Sequence, residues 1–169
     1  MMRLVFMGTP EFAVESLQAL DNCPHEIVGV VTAPDKPVGR GLRVKPSPIK
    51  VKAMELNLPI LQPADLSAPE FVEEINNLSA DIFVVVAFRI LPSIIFELPP
   101  FGTINLHASL LPRYRGAAPI NRAIINGETE TGVTIIFIRR DVDAGDIILQ
   151  EKVSIGEDET AGALHDKLA

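Results

Sequence analysis

The sequence predicts an α/β fold: a doubly wound, mostly parallel sheet flanked by helices. Three observations predict it. Short apolar runs at residues 3–7, 27–32 and 82–87 alternate with helical stripes, and strand–helix–strand units with right-handed crossovers build such a sheet. Residues 82–87, Ile-Phe-Val-Val-Val-Ala, are apolar throughout, as in a central parallel strand buried on both faces. The chain has 169 residues, 47% hydrophobic and 22% charged, which is enough for a real core and excludes intrinsic disorder.

Each element follows from local chemistry. After the first strand, Gly8-Thr9-Pro10-Glu11 reads as a turn and a helix start. Thr9 is expected to cap that helix, with Pro10 at its first position and Glu11 at its positive end. Ala13, Leu17 and Leu20 follow at helical spacing. Residues 34–69 hold seven of the fourteen prolines, so the part up to Pro48 reads as an irregular loop. A short helix is expected over 49–57, a small strand over 58–61 and a helix over 70–78. A short helical piece over 94–98 comes before the alternating strand 103–107. Residues 121–126 continue a helix begun near Pro119. Two strands, 133–138 and 147–153, flank an acidic turn. A last helix over 160–169 has Thr160 as cap and stops without a closing Gly or Pro. The expectation is a domain over 1–169 that is incomplete at its C-terminal end.

Composition limits the functions open to the chain. The longest unbroken apolar run, residues 82–88, has seven residues, against about 20 for a membrane-spanning helix. The apolar start is too short for a secretory signal, and the single cysteine, Cys23, forms no internal disulfide. A cytoplasmic protein without a membrane partner is expected. The net charge of −7 argues against general coating of nucleic acid, but residues 36–52 carry six basic side chains and no acid. A positive segment on a negative body can hold a polyanion at one place. A solvated charged surface is the equal alternative.

The alternating strand carries the sharpest chemical signal. In Thr103-Ile104-Asn105-Leu106-His107 the side chains of Asn105 and His107 fall on one face, at the strand end where open α/β sheets bind ligands. Asn can hold an oxygen that turns negative, and His can donate or accept a proton near neutral pH. A polar face toward solvent is the bland alternative. Asp141-Val142-Asp143-Ala144-Gly145-Asp146 is either an ordinary acidic turn or a carboxylate that orients His107. It lacks the Glu of a calcium loop. Ser109 has no G-x-S-x-G surroundings, so a nucleophile reading is poor. His25 and His165 have no partners at metal-ligand spacing, and no metal is expected. Neither G-x-G-x-x-G nor a P-loop occurs.

Asn105-Leu106-His107-Ala108-Ser109-Leu110-Leu111-Pro112, with Asp143 thirty-six residues after the histidine, resembles the 10-formyltetrahydrofolate-dependent formyltransferases. Three further stretches resemble the branch of that family that formylates initiator methionyl-tRNA: Phe6-Met7-Gly8-Thr9-Pro10-Glu11-Phe12-Ala13, Pro34-Asp35-Lys36-Pro37-Val38-Gly39-Arg40-Gly41, and Tyr114-Arg115-Gly116-Ala117-Ala118-Pro119-Ile120. The resemblance implies a Rossmann-like formyltransferase fold. It implies transfer of a formyl group from 10-formyltetrahydrofolate, a consumed co-substrate, to the methionyl α-amine on initiator tRNA. It assigns Asn105, His107 and Asp143 to catalysis. Folate contacts go to Phe88, Arg89, Ile90, Leu91, Ser109, Leu110, Leu111 and Pro112, and tRNA contacts to Lys36, Arg40, Arg43 and Lys45. It also implies a C-terminal barrel-like tRNA-binding domain that this sequence lacks, and it implies no protein partner. Phe88-Arg89 departs from the Tyr-Gly of many such enzymes. The alternatives are a sugar-nucleotide formyltransferase with the same Asn-His-Asp site and a non-catalytic folate- or RNA-binding module.

Overall fold

The computed structural model describes residues 1–38 and 43–169. The chain forms two compact units, Met1–Thr103 and Ile104–Ala169.

The first unit is the parallel one. Strand β1 (Arg3–Gly8) is followed by a short 3-10 turn and helix α1 (Val14–Asp21), which leads to β2 (Glu26–Val31). Thr9 does not cap this helix. Pro10 occupies the cap position of the 3-10 turn without a side-chain bond, and the Thr9 hydroxyl instead accepts the Ala33 N–H at 3.3 Å. The threonine is drawn to the free backbone donor just after β2. The proline-rich segment is also more ordered than expected, because β3 (Lys36–Val38) and β4 (Arg43–Lys45) pair antiparallel as a ribbon. Helix α2 (Pro48–Glu55) starts at Ser47, whose hydroxyl accepts the Lys50 N–H at 3.0 Å. Pro48 suits its first turn.

Strand β5 (Ile60–Leu61), helix α3 (Pro69–Asn77), strand β6 (Ile82–Val86) and helix α4 (Ser93–Phe96) complete this unit. Strands β1, β2, β5 and β6 pair in parallel, in the order β5-β2-β1-β6. The chain moves outward from β1 through β2 to β5, then returns to the other side of β1. That reversal is the mark of a doubly wound sheet, a fold that binds ligands beyond the carboxyl ends of its strands. Val5, Phe6, Met7, Leu17, Val30 and Phe83 are buried in its core.

The second unit is antiparallel. Strand β7 (Thr103–His107) enters it, helix α5 (Pro119–Ile125) follows, and β8 (Glu130–Phe137) and β9 (Ile147–Ser154) form a long hairpin. The order is β7-β8-β9. Helix α6 (Ala161–Leu168) is capped by Thr160, whose hydroxyl accepts the Ala163 N–H at 3.2 Å, and it buries Leu164 and Leu168. The architecture is the α/β class read from the sequence, with parallel pairing in the first unit and antiparallel pairing in the second.

Candidate active site

The pleat of β7 puts Asn105 and His107 on one face, and the β8–β9 turn brings Asp143 to them. The Asn105 amide Nδ2 lies 3.5 Å from Asp143 Oδ1. The His107 Nδ1 lies 3.5 Å from Asp143 Oδ2, with both side chains about nine-tenths buried. These approaches are longer than the usual 2.7–3.2 Å of a protein hydrogen bond. Catalytic hydrogen bonds in a free enzyme are often long and tighten when substrate arrives. The tight bond of Asp143 comes from the backbone: the Gly116 N–H donates to Oδ2 at 2.8 Å. Asp143 is tied down within an acidic segment whose Asp141, Val142, Ala144 and Asp146 are exposed.

The second ring nitrogen of His107 is tied elsewhere. Nε2 lies 2.9 Å from the Tyr114 carbonyl oxygen, so it must carry a proton to bond there. A ring with protons on both nitrogens satisfies the carbonyl and the carboxylate together. The other ring nitrogen, Nδ1, faces the Asp143 carboxylate.

Backbone geometry makes these contacts possible. Asp143 has φ +51°, as do few residues other than Gly, Asn and Asp. Gly145 packs so closely that a Cβ there would run into the Phe137 carbonyl oxygen. Gly116 has φ +83°, which favours glycine, and this conformation lets its N–H reach Asp143.

The segment after His107 is pinned from behind. Ser109 is fully buried and its hydroxyl donates to the Arg113 carbonyl at 2.7 Å, as expected for a residue that is not a nucleophile. The Thr134 hydroxyl accepts the Leu111 N–H at 3.1 Å and donates to the Ser109 carbonyl at 2.6 Å. Gln150 Nε2 donates to the Leu111 carbonyl and to the Thr134 hydroxyl, each at 2.9 Å. Leu111–Pro112 is a cis peptide. Leu111 is buried, Leu110 half-buried and Pro112 exposed. Sequence reading missed Thr134 and Gln150, since a threonine and a glutamine on strands carry no pattern.

The other expected residues sit in the first unit. Phe88, Arg89, Ile90 and Leu91 follow the carboxyl end of β6. Arg89 donates to the Pro63 and Ala64 carbonyls and lies 5.5 Å from the Phe88 ring centre, while its Nε is buried without a partner. Ile90 is exposed and Leu91 buried. Lys36 and Lys45 are directly opposite each other in the ribbon and both exposed. The Arg43 backbone belongs to β4, and Arg40 lies outside the described residues. The ribbon's base is braced by Lys50 and Asp35 at 2.5 Å. The bonds from Lys50 and then from Gln62 hold the Asp35 carboxyl below its ordinary range. Among the described residues, no cluster of three or more His, Cys, Asp or Glu side chains is placed to hold a metal.

An amide and an imidazole beside a partly buried carboxylate can stabilise a developing oxyanion and move a proton. The chain is 57% identical to the methionyl-tRNA formyltransferase of Desulforamulus reducens over 99% of its own length and 53% of the relative's. It is 56% identical to the enzyme of that name from Moorella thermoacetica, over 99% of the chain and 54% of the relative. It thus spans about half the length of the curated relatives it matches. Among solved structures, glycinamide ribonucleotide transformylase 1 from Symbiobacterium toebii shares the fold at a TM-score of 0.79 and 19% identity, covering 99% of this chain and 80% of that one. A formyltetrahydrofolate deformylase from Pseudomonas syringae pv. tomato shares it at 0.74 and 22%, covering 98% and 56%. The formyl transferase family model matches residues 2–169, so the chain belongs to the formyl transferase family.

Proposed function

We propose that the chain is the catalytic part of an enzyme that moves a formyl group from 10-formyltetrahydrofolate to the α-amine of methionine on initiator tRNA. The observation that carries the reading is the meeting of Asn105, His107 and Asp143 at one point of the second unit. The name shared by relatives 50–57% identical supports methionyl-tRNA as the acceptor. A cytoplasmic setting, where charged tRNA is used, goes with this reading.

In the reaction a bond forms between the amine nitrogen and the formyl carbon, and the bond from that carbon to the folate nitrogen breaks. Asn105 Nδ2–H donates to the formyl oxygen as it gains negative charge, and His107, held at Nδ1 by Asp143, stabilises that charge from beside it. Asp143 holds the imidazole in place and takes the proton that the amine loses, through water, for return to the folate nitrogen. The family resemblance is the ground for assigning folate contacts to Phe88, Arg89, Ile90 and Leu91 in the first unit and to Ser109, Leu110, Leu111 and Pro112 in the second. Lys36, Arg40, Arg43 and Lys45 meet the phosphates of the tRNA. The consumed folate is the one co-substrate the chemistry requires.

The test is direct. The chain is incubated with 10-formyltetrahydrofolate labelled in the formyl group and, separately, with methionyl-tRNA, glycinamide ribonucleotide, an amino-sugar nucleotide or no acceptor. Label on methionyl-tRNA alone is the expected result. Label on the sugar nucleotide, or free formate only, would replace this reading.

A further inference from the structure

Both backbone groups that fix the catalytic pair come from one three-residue segment. The Tyr114 carbonyl accepts from His107 Nε2, and the Gly116 N–H donates to Asp143. That segment is unusual backbone: Tyr114 has φ +59° and Gly116 +83°. A tyrosine in the left-handed region is uncommon and persists only where its surroundings hold it there.

The surroundings are a polar clasp at the far end of the Tyr114 side chain. Tyr114 Oη donates to Glu128 Oε1 at 2.5 Å, and Arg113 Nη2 donates to the same oxygen. Asn126 Nδ2 donates to Tyr114 Oη at 3.0 Å. The Arg122 guanidinium lies 5.3 Å from the Tyr114 ring centre and bonds the Arg115 carbonyl at 3.0 Å. The Glu128 side chain is one-fifth exposed while its Arg113 partner is about three-fifths exposed, so the ion pair itself contributes little and the tyrosine hydroxyl bond carries the clasp. The hydroxyl bond and the arginine also hold the Glu128 carboxyl below its ordinary range, consistent with a carboxylate that stays charged for this bond.

We propose that Glu128, acting through the Tyr114 hydroxyl, is a positioning residue for His107 and Asp143: it locks the 114–116 backbone whose carbonyl and N–H set the imidazole and the carboxylate. The inference rests on the formyl-transfer reading for its kinetic consequence but not for its structural one. Losing the clasp leaves substrate binding groups intact and lets the pair drift. A displacement of about 1 Å can cost about 10²-fold in rate. Tyr114→Phe and Glu128→Ala should therefore each lower kcat by roughly ten- to a hundredfold with KM for the formyl donor little changed. The double variant should be no worse than the more affected single, because both break one device. Glu128→Gln keeps an acceptor for the tyrosine and should recover most of the rate.

The companion readout is the His107 ring seen by ¹⁵N–¹H NMR, with His25 and His165 as internal references. In the unmodified chain the Nε2 proton should be present and slow to exchange. In Tyr114→Phe and Glu128→Ala it should exchange faster while the other two rings do not change. Unchanged His107 signals in both variants overturn the proposal. So does an activity loss that simply follows a lowered melting temperature with the ring unaffected. If the unmodified chain formylates no acceptor, the function is misassigned, while the NMR comparison still decides the clasp.

Discussion

Asn105 and Asp143 carry different loads, and single substitutions should separate them. Asn105 makes one long contact, at 3.5 Å, so its removal disturbs little structure. Asn105→Ala should lower kcat by about 10²–10³, the usual effect of losing one oxyanion donor, with folate affinity almost unchanged. Single-turnover kinetics and equilibrium folate binding would check it. Asp143→Asn is a cleaner probe of charge. Asn tolerates the +51° φ and its carbonyl can still accept the Gly116 N–H. The variant should melt within a few degrees of the parent and yet lose most turnover. Glu128 adds a pH dependence whose sign is fixed. Its carboxyl is lowered from the ordinary 4.5 by the Tyr114 bond first and Arg113 second. A lowered folded value means the stabilisation is complete above the unfolded value and fades as pH falls through the folded one. Denaturant midpoints taken from about pH 6 down to about pH 3 should show a shallower acid loss in Glu128→Gln than in the parent.

At the scale of elements, the β8–β9 hairpin is the part that delivers Asp143, and Gly145 is its tightest point. A methyl group at Gly145 meets the Phe137 carbonyl, so the hairpin end must open. Gly145→Ala should cost about 1–3 kcal/mol, as overpacking does, and should reduce turnover further than that loss alone explains. Thermal melting and kcat measured together would show whether the two effects part. The hairpin also marks how far the sequence could be read. Its strands, like β1, β2, β6 and β7, were legible because apolar period and β-branching report on a pleated, buried surface. Asn105 and His107 were legible because a period of two put them on one face, and the family resemblance supplied Asp143. The β3–β4 ribbon was not legible, since proline density suggests a loop and pairing between two three-residue strands has almost no local signal. Thr9 was misread as a cap because the competing donor, Ala33, is far along the chain. The Tyr114–Glu128 clasp was invisible for the same reason: fourteen residues separate two groups whose meeting depends on how α5 turns the chain.

Across the whole molecule, charge is unevenly spread along the chain. The net charge is −7, yet residues 36–52 have only basic charges, and Lys36 and Lys45 are paired across an exposed ribbon. The Asp35–Lys50 bridge, with Gln62 on the other Asp35 oxygen, fixes the ribbon's base. The ribbon therefore starts from a defined anchor. If it neutralises about three to five phosphates, the slope of log K against log salt should be roughly −2 to −4. The acidic remainder of the chain should repel the same ligand, so binding should not extend beyond that footprint. Replacing Lys36 and Lys45 together with glutamine removes two cations without touching the second unit. The slope for methionyl-tRNA should then become shallower by about 1 to 2, weakening binding most at low salt. Fluorescence anisotropy over a salt series would measure it. A parallel line, displaced or not, would mean that these lysines face solvent and that the phosphates are met elsewhere.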